Sequence, residues 1–157
     1  MRVFLAAAAI VVVAVISDRS AAAQQSAASP FVGITDLDCM FPLTSGGTWV
    51  DGEPRIDGVG GSSLSFQIGN LDPQGGSARV SIGATGADVT VRAVGANLHL
   101  IDQRAESIAV TTVMGNGNGG TFRAVHTRSE YHAYNGPGFI ATPKAEQLYG
   151  SCTVARR

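Results

Sequence analysis

His126, Arg128, Glu130 and His132 occupy alternate positions of the segment TFRAVHTRSEYH, residues 121–132. In an extended chain, residues at even spacing share one face, so these side chains form the chain's most chemically suggestive set. Shared zinc ligation is the first reading to weigh. A strand rises about 3.3 Å per residue, which separates His126 from His132 by roughly 20 Å. One metal cannot bridge them while the strand is regular, and a zinc site would have to recruit His99 or carboxylates from adjacent strands. A Ser–His–acid triad could draw on the many serines, but the G-x-S-x-G elbow is absent. His126 is therefore expected to be a hydrogen-bonding structural residue, since buried imidazoles normally find partners. The candidate polar site is His126, Arg128, Glu130 and Tyr149, with no catalytic residue, no metal and no cofactor assigned.

Three other features invite chemistry and resist it. Gly115 to Gly120 (GNGNGG) satisfies the letter of a dinucleotide-binding G-x-G-x-x-G. That motif needs a following helix whose N-terminus holds phosphate, and here Thr121 to His126 alternates as a strand instead. The segment is expected to be a flexible hairpin loop. Asp36, Asp38, Asp51, Glu53 and Asp57 cluster, but without the D-x-D-x-D-G spacing of a calcium loop; they are expected to form a solvated rim. Trp49, the single Trp, is expected to fill a core.

The elements that position these residues are strands. Leu64, Phe66 and Ile68 alternate with polar neighbours, as do Ala78, Val80 and Ile82, and Val89, Val91 and Ala93. Further strands are expected at 97–102, 107–114, 121–131 and 147–154, with one or two more in 33–41 and around Trp49, for eight or nine in all. Turns such as Asp72-Pro73-Gln74-Gly75-Gly76 are too short for parallel crossovers, so the pairs must be antiparallel hairpins. Glu and Lys are scarce while Gly, Thr, Ser and Val abound, which argues against a helical bundle. The fold expected is all-β: an antiparallel meander closing into a small barrel, with a β-sandwich as the alternative. Residues 133–146, with two Pro and two Gly, are expected to be a long connection whose Phe139 and Ile140 cap one end of the core.

The N-terminus carries a separate message. Arg2 precedes an unbroken apolar run of 14 residues, Val3 to Ile16, and Ala21-Ala22-Ala23 offers the small residues a signal peptidase reads. The run is short of the about 20 residues a membrane span requires. Residues 1–23 are expected to be a signal peptide, 24–30 a flexible leader, and 31–157 a single β-domain. Cleavage leaves 9 basic and 11 acidic residues, so the exported chain is mildly acidic. That balance removes the electrostatic case for nucleic acid or anionic membrane as partner. In a periplasmic or secreted setting the only two cysteines, Cys39 and Cys152, are expected to form a disulfide. A bridge demands Cα atoms within about 7 Å, so the first and last strands must be neighbours or face each other.

Leu71-Asp72 with its Gly-rich turn, Thr111-Thr112-Val113, Ala124-Val125-His126-Thr127-Arg128 and Gln147-x-Tyr149-Gly150-x-Cys152, in that order, resemble a group of small exported bacterial proteins. Those carry an "AVHSRH"-like strand and a C-terminal "SQYYGxC"-like strand. The resemblance spans roughly residues 60–154, with Thr127 where the group has Ser and Ser129-Glu130 where a His would follow Arg. It implies export and a disulfide-closed β-domain, and transfers no catalytic residue. Three functions are compatible with this sequence: a monomeric, non-enzymatic binding or inhibitory module for a small molecule or protein; a hydrolase or metal enzyme centred on His126; and a passive envelope component. The barrel lysozyme inhibitors of bacterial periplasms are a fold-level analogy for the first. On this reading the exported protein begins at Gln24, and an intact mass that retains Met1 would refute it.

Overall fold

The structure, a computed structural model, describes residues 29–50, 53–61, 63–132 and 142–156. The signal segment, the Gln24 cleavage point and the Phe139–Ile140 pair lie outside the described residues. Nine strands follow in chain order: β1 (Leu37–Val50), β2 (Glu53–Gly60), β3 (Leu64–Asp72), β4 (Ser77–Ile82), β5 (Thr85–Val94), β6 (Asn97–Gln103), β7 (Ser107–Met114), β8 (Thr121–His132) and β9 (Thr142–Val154). Every pairing is antiparallel. Strands β3 to β9 form a meander, and β1 pairs with β3 on one side and β9 on the other. Eight strands thus close into a barrel, with β2 attached outside the ring as a hairpin partner of β1. The sandwich alternative is set aside by this continuous ring.

Period two sorts the side chains. Leu37, Cys39 and Phe41, Phe66 and Ile68, Val89 and Val91, Leu98 and Leu100, and Phe122 and Ala124 all point inward and are buried. Tight turns keep the strands in register. Gly83 and Gly95 have φ of +59° at the first position of two-residue turns, the place where such hairpins favour glycine. Asn70, at φ +51°, interrupts the β3–β4 register and turns Leu71 into the core despite its breaking the even-numbered pattern. The freed strand end is caught by the N-terminal segment, where the Leu71 amide donates to the Thr35 carbonyl at 2.9 Å.

That segment stoppers one end of the barrel. Phe31 is 1% exposed and its ring lies 5.0 Å from that of Phe122. Ser29 and Pro30, the end of the expected leader, take part. The Val32 amide donates to the Ser29 carbonyl, and Pro30 sits so close to Gly115 that a Cβ there would lie 2.5 Å from its ring.

Ring closure is made by β1 and β9. Cys39 lies directly opposite Cys152, their Cα atoms 4.0 Å apart, and the two are bridged. One step along, Phe41 and Pro42 of β1 face the single residue Gly150 of β9. Such a bulge suits Pro, which has no amide to offer the ladder. It also demands glycine opposite, because a Cβ at position 150 would lie 1.9 Å from the Met40 carbonyl oxygen and 2.7 Å from the Phe41 Cα.

Three expectations change. Residues 33–41 and the Trp49 region are not separate strands: from Leu37 onward they form one strand of 14 residues, whose second half runs past β3 and pairs with β2 and β9. Trp49 belongs to that extension and is 45% exposed, so it does not fill the barrel. The connection after β8 is shorter than 133–146, because Thr142–Glu146 already pair with His132–Arg128. A loop-like composition yielded there to two neighbouring strands that supplied hydrogen-bond partners. The GNGNGG segment is a hairpin turn as expected, with Gly119 and Gly120 at positive φ.

Two substitutions test this closure by chemical denaturation. Replacing both cysteines by Ser is expected to lower stability by about 2–5 kcal/mol. Gly150→Ala, which leaves the disulfide available, is expected to cost about 1–3 kcal/mol through forced backbone movement at the bulge. A neutral Gly150→Ala would show that the ladder has slack there.

Candidate functional site

The barrel interior is filled at one end and open at the other. Phe31, Leu71, Leu98, Val113 and Phe122 pack the stoppered half. Towards the opposite end, where the turns after β4 and β6 and the end of β8 lie, the inward positions become polar, and a cavity of about 340 Å³ opens. Its wall is apolar below (Leu64, Phe66, Val80, Val89, Leu100) and charged above (Asp102, Arg104, Arg128, Glu130). The same inward periodicity that buries Phe122 and Ala124 carries β8 on to His126, Arg128 and Glu130 at this mouth.

His126 forms part of the floor. Its ring lies 5.8 Å from that of Phe41 and 5.7 Å from that of Phe66, and Phe41 and Phe66 stack at 5.4 Å. Directly across the β7–β8 ladder, Thr111 places Oγ1 2.9 Å from the His126 Nδ1. Burial lowers the imidazole pKa, and the Arg128 guanidinium adds to that shift, while Asp102 and Glu146 oppose it. The ring is therefore neutral at pH 7.

The upper wall is a set of ion pairs, one across the β8–β9 ladder and the others between residues two apart in sequence. Arg128 faces Glu146 in register, with Nη2–Oε2 at 2.6 Å, and its Nε lies 3.0 Å from Glu130 Oε1. Lys144, opposite Glu130, places Nζ 2.5 Å from the other Glu146 oxygen. The hydrogen bond from Lys144, aided by Arg128, holds the Glu146 carboxyl below its ordinary pKa against the opposing effect of burial. Just past the end of β6, Arg104 binds Asp102 through Nη2 at 2.7 Å and Nε at 3.1 Å.

Of the four residues singled out from sequence, His126, Arg128 and Glu130 line the cavity together. Tyr149 does not join them. It lies at an odd position of β9, 44% exposed, and its hydroxyl donates to Gln147 Oε1 at 2.5 Å. His99 is also separate: it pairs with Thr112, Nδ1 to Oγ1 at 3.0 Å, on the opposite face of the β6–β7 ladder from Thr111. Among the described residues no three His, Cys, Asp or Glu side chains stand close enough to hold a metal. Sequence reasoning did not connect Thr111, Asp102, Arg104 or Glu146 with this site. For Thr111 a signal existed, a polar residue at an inward position between Ala109 and Val113. Comparison of the chain with models of known families, with curated proteins and with solved structures found no match.

The His126 environment sets a pH dependence. Its folded pKa is depressed, so the unfolded chain binds its proton more readily; stability is complete above about 6.5 and falls as pH drops from there through the folded value. Glu146 acts at lower pH, where the stabilisation present above its ordinary 4.5 is lost as acid protonates it. Denaturation midpoints are expected to fall between pH 7.5 and 5 in the parent protein and to stay nearly flat over that range in His126→Phe. Thr111→Val removes the hydroxyl partner of a half-buried imidazole and is expected to cost about 1–3 kcal/mol.

Proposed function

We propose that this protein is an exported, non-enzymatic binding module that takes a small molecule into the open end of its barrel. The observation that carries this reading is the half-empty interior. A cavity of about 340 Å³ with an apolar wall and a few placed polar groups falls within the roughly 300–1,000 Å³ of small-molecule sites. An eight-stranded barrel is just wide enough either to pack its interior or to hold one small ligand, and here the two halves differ. The Cys39–Cys152 bridge supports an oxidising compartment outside the cytoplasm. The apolar N-terminal segment and the likeness of Ala124–Arg128 and Gln147–Cys152 to small exported bacterial proteins support the same placement.

The hydrolase reading has less behind it. The Thr111–His126 contact is a hydroxyl–imidazole pair, but no described side chain hydrogen-bonds the other ring nitrogen, so the orienting third member of a triad is lacking. The binding reading is tested by native mass spectrometry of protein purified from the exporting compartment. A retained small molecule is expected in the parent and not in Ala109→Trp, which places a large ring in the cavity. Equal retention by both, or none by either, would overturn the reading.

A further inference from the structure

The orientation of one proton indicates which ligand chemistry the cavity accepts, given the binding reading above. Thr111 is 4% exposed, and its hydroxyl has one acceptor among the described residues, the His126 Nδ1 at 2.9 Å. A buried hydroxyl left without an acceptor is costly. The Thr111 O–H therefore donates to Nδ1, which fixes the neutral ring with its proton on Nε2. Among the described residues Nε2 has no hydrogen-bond partner, yet none of their buried side-chain nitrogens or oxygens lacks one. It is therefore not sealed in the core, and His126 lines the cavity. The Nε2–H is a directed, unused donor in the lower, apolar part of the chamber.

The charges around it are already spent on each other. Of the four that line the cavity, Arg128 is held by Glu130 and Glu146, and Arg104 by Asp102. The lining carries two positive and two negative groups, so it offers neither a carboxylate nor an ammonium a net attraction. Size narrows the choice further. A dry cavity of about 150 Å³ holds benzene, and this one is a little more than twice that volume. Phe66 and the His126 ring beside it, inclined edge to face at 60° with centroids 5.7 Å apart, form an aromatic floor.

We propose that the barrel cavity binds an uncharged molecule of about two fused rings that carries a carbonyl acceptor at its inner end, anchored by the Nε2–H of His126. Apolar contact with Leu64, Phe66, Val80 and Leu100 supplies most of the affinity, and the imidazole supplies selectivity for the acceptor.

Three probes of one shape test this by equilibrium dialysis at pH 7.5 on the disulfide-bonded protein: 2-acetonaphthone, 2-ethylnaphthalene and 2-naphthoate. The ketone is expected to bind about tenfold more tightly than the hydrocarbon, the size of one buried neutral hydrogen bond, and more tightly than the anion. In His126→Phe the ketone and the hydrocarbon are expected to bind within about twofold of each other, with hydrocarbon affinity retained as the sign of an intact cavity. A second measurement needs no variant: the ring ¹⁵N shifts of His126 in the parent protein are expected to place the proton on Nε2. A proton on Nδ1, tightest binding by 2-naphthoate, or a ketone preference that survives His126→Phe would each overturn the proposal. Binding of none of the three would also overturn it. If native mass spectrometry still finds a retained small molecule, that failure belongs to the ligand class alone; if it finds none, the binding-module reading falls with it.

Discussion

The antiparallel ladder between β1 and β9 is the interaction on which the rest of this molecule depends. A meander from β3 to β9 can form from local hairpins, but it ends in two open edges that need a partner. Only β1 supplies one, and it must reach β9 across 113 positions of sequence. Non-local pairing of that kind carries a heavy loop-closure cost and slows folding. The Cys39–Cys152 bridge removes much of that cost: for a loop of about 100 residues the chain-entropy estimate is about 4.7 kcal/mol. Until the ring is shut there is no interior, and neither the core nor the cavity exists. The Phe41–Pro42 bulge opposite Gly150 belongs to the same constraint. On either side of it β1 keeps β9 as its partner, while the other edge of β1 passes from β3 in the first half to β2 in the second.

Closure creates an interior that the sequence treats unequally along the barrel axis. At the end stoppered by Phe31 the inward positions are aliphatic or aromatic, and packing supplies the stability. At the other end Thr111, His126, Arg128, Glu130 and Asp102 join apolar residues at the inward positions. Each of these polar side chains makes at least one hydrogen bond or ion pair, because a buried one with none would cost more than an apolar replacement. Thr111 meets His126 across one ladder, and Arg128 meets Glu146 across the next. The cross-strand register does this work, since residues directly opposite in antiparallel strands are close enough to pair. A protein selected for stability alone would fill this half with Val and Leu. Its polar, partly open construction is what a binding site requires and what a core does not.

The strand signal and the turn chemistry were legible in the chain itself. Alternation at Leu64–Ile68, Ala78–Ile82 and Val89–Ala93 reflects a backbone whose successive side chains point to opposite faces, and it needs no tertiary information to read. The shared face of His126, Arg128 and Glu130 follows from the same period, and the pairing of two cysteines follows from their number and setting. Where local composition and tertiary context disagreed, context prevailed. Pro143 and its neighbours read as loop, yet Thr142–Glu146 became strand between β8 and β1. Glycines at 46, 47, 58 and 60 weaken any strand pattern near β1 and β2, and hairpin pairing imposed one regardless.

Which face is the inside is a different kind of fact. Period two divides a strand's residues into two sets and says nothing of how far along the strand the packed core ends. Nothing in the chain distinguishes His99–Thr112, on the outer face, from Thr111–His126, on the inner one; both are His–Thr pairs across neighbouring strands. Tyr149 stands between Leu148 and Gly150, and only the ring's sense of closure sends it outward while His126 points in. The sequence alone therefore determined the strands of the central meander, their antiparallel order and the crosslink, because these rest on local backbone geometry and on the chemistry of two residues. Closure into a barrel, the boundary between filled and open halves, and the set of side chains that share the cavity were decided by tertiary structure. Those properties depend on distances between strands remote in sequence, and such distances exist only once β1 has met β9.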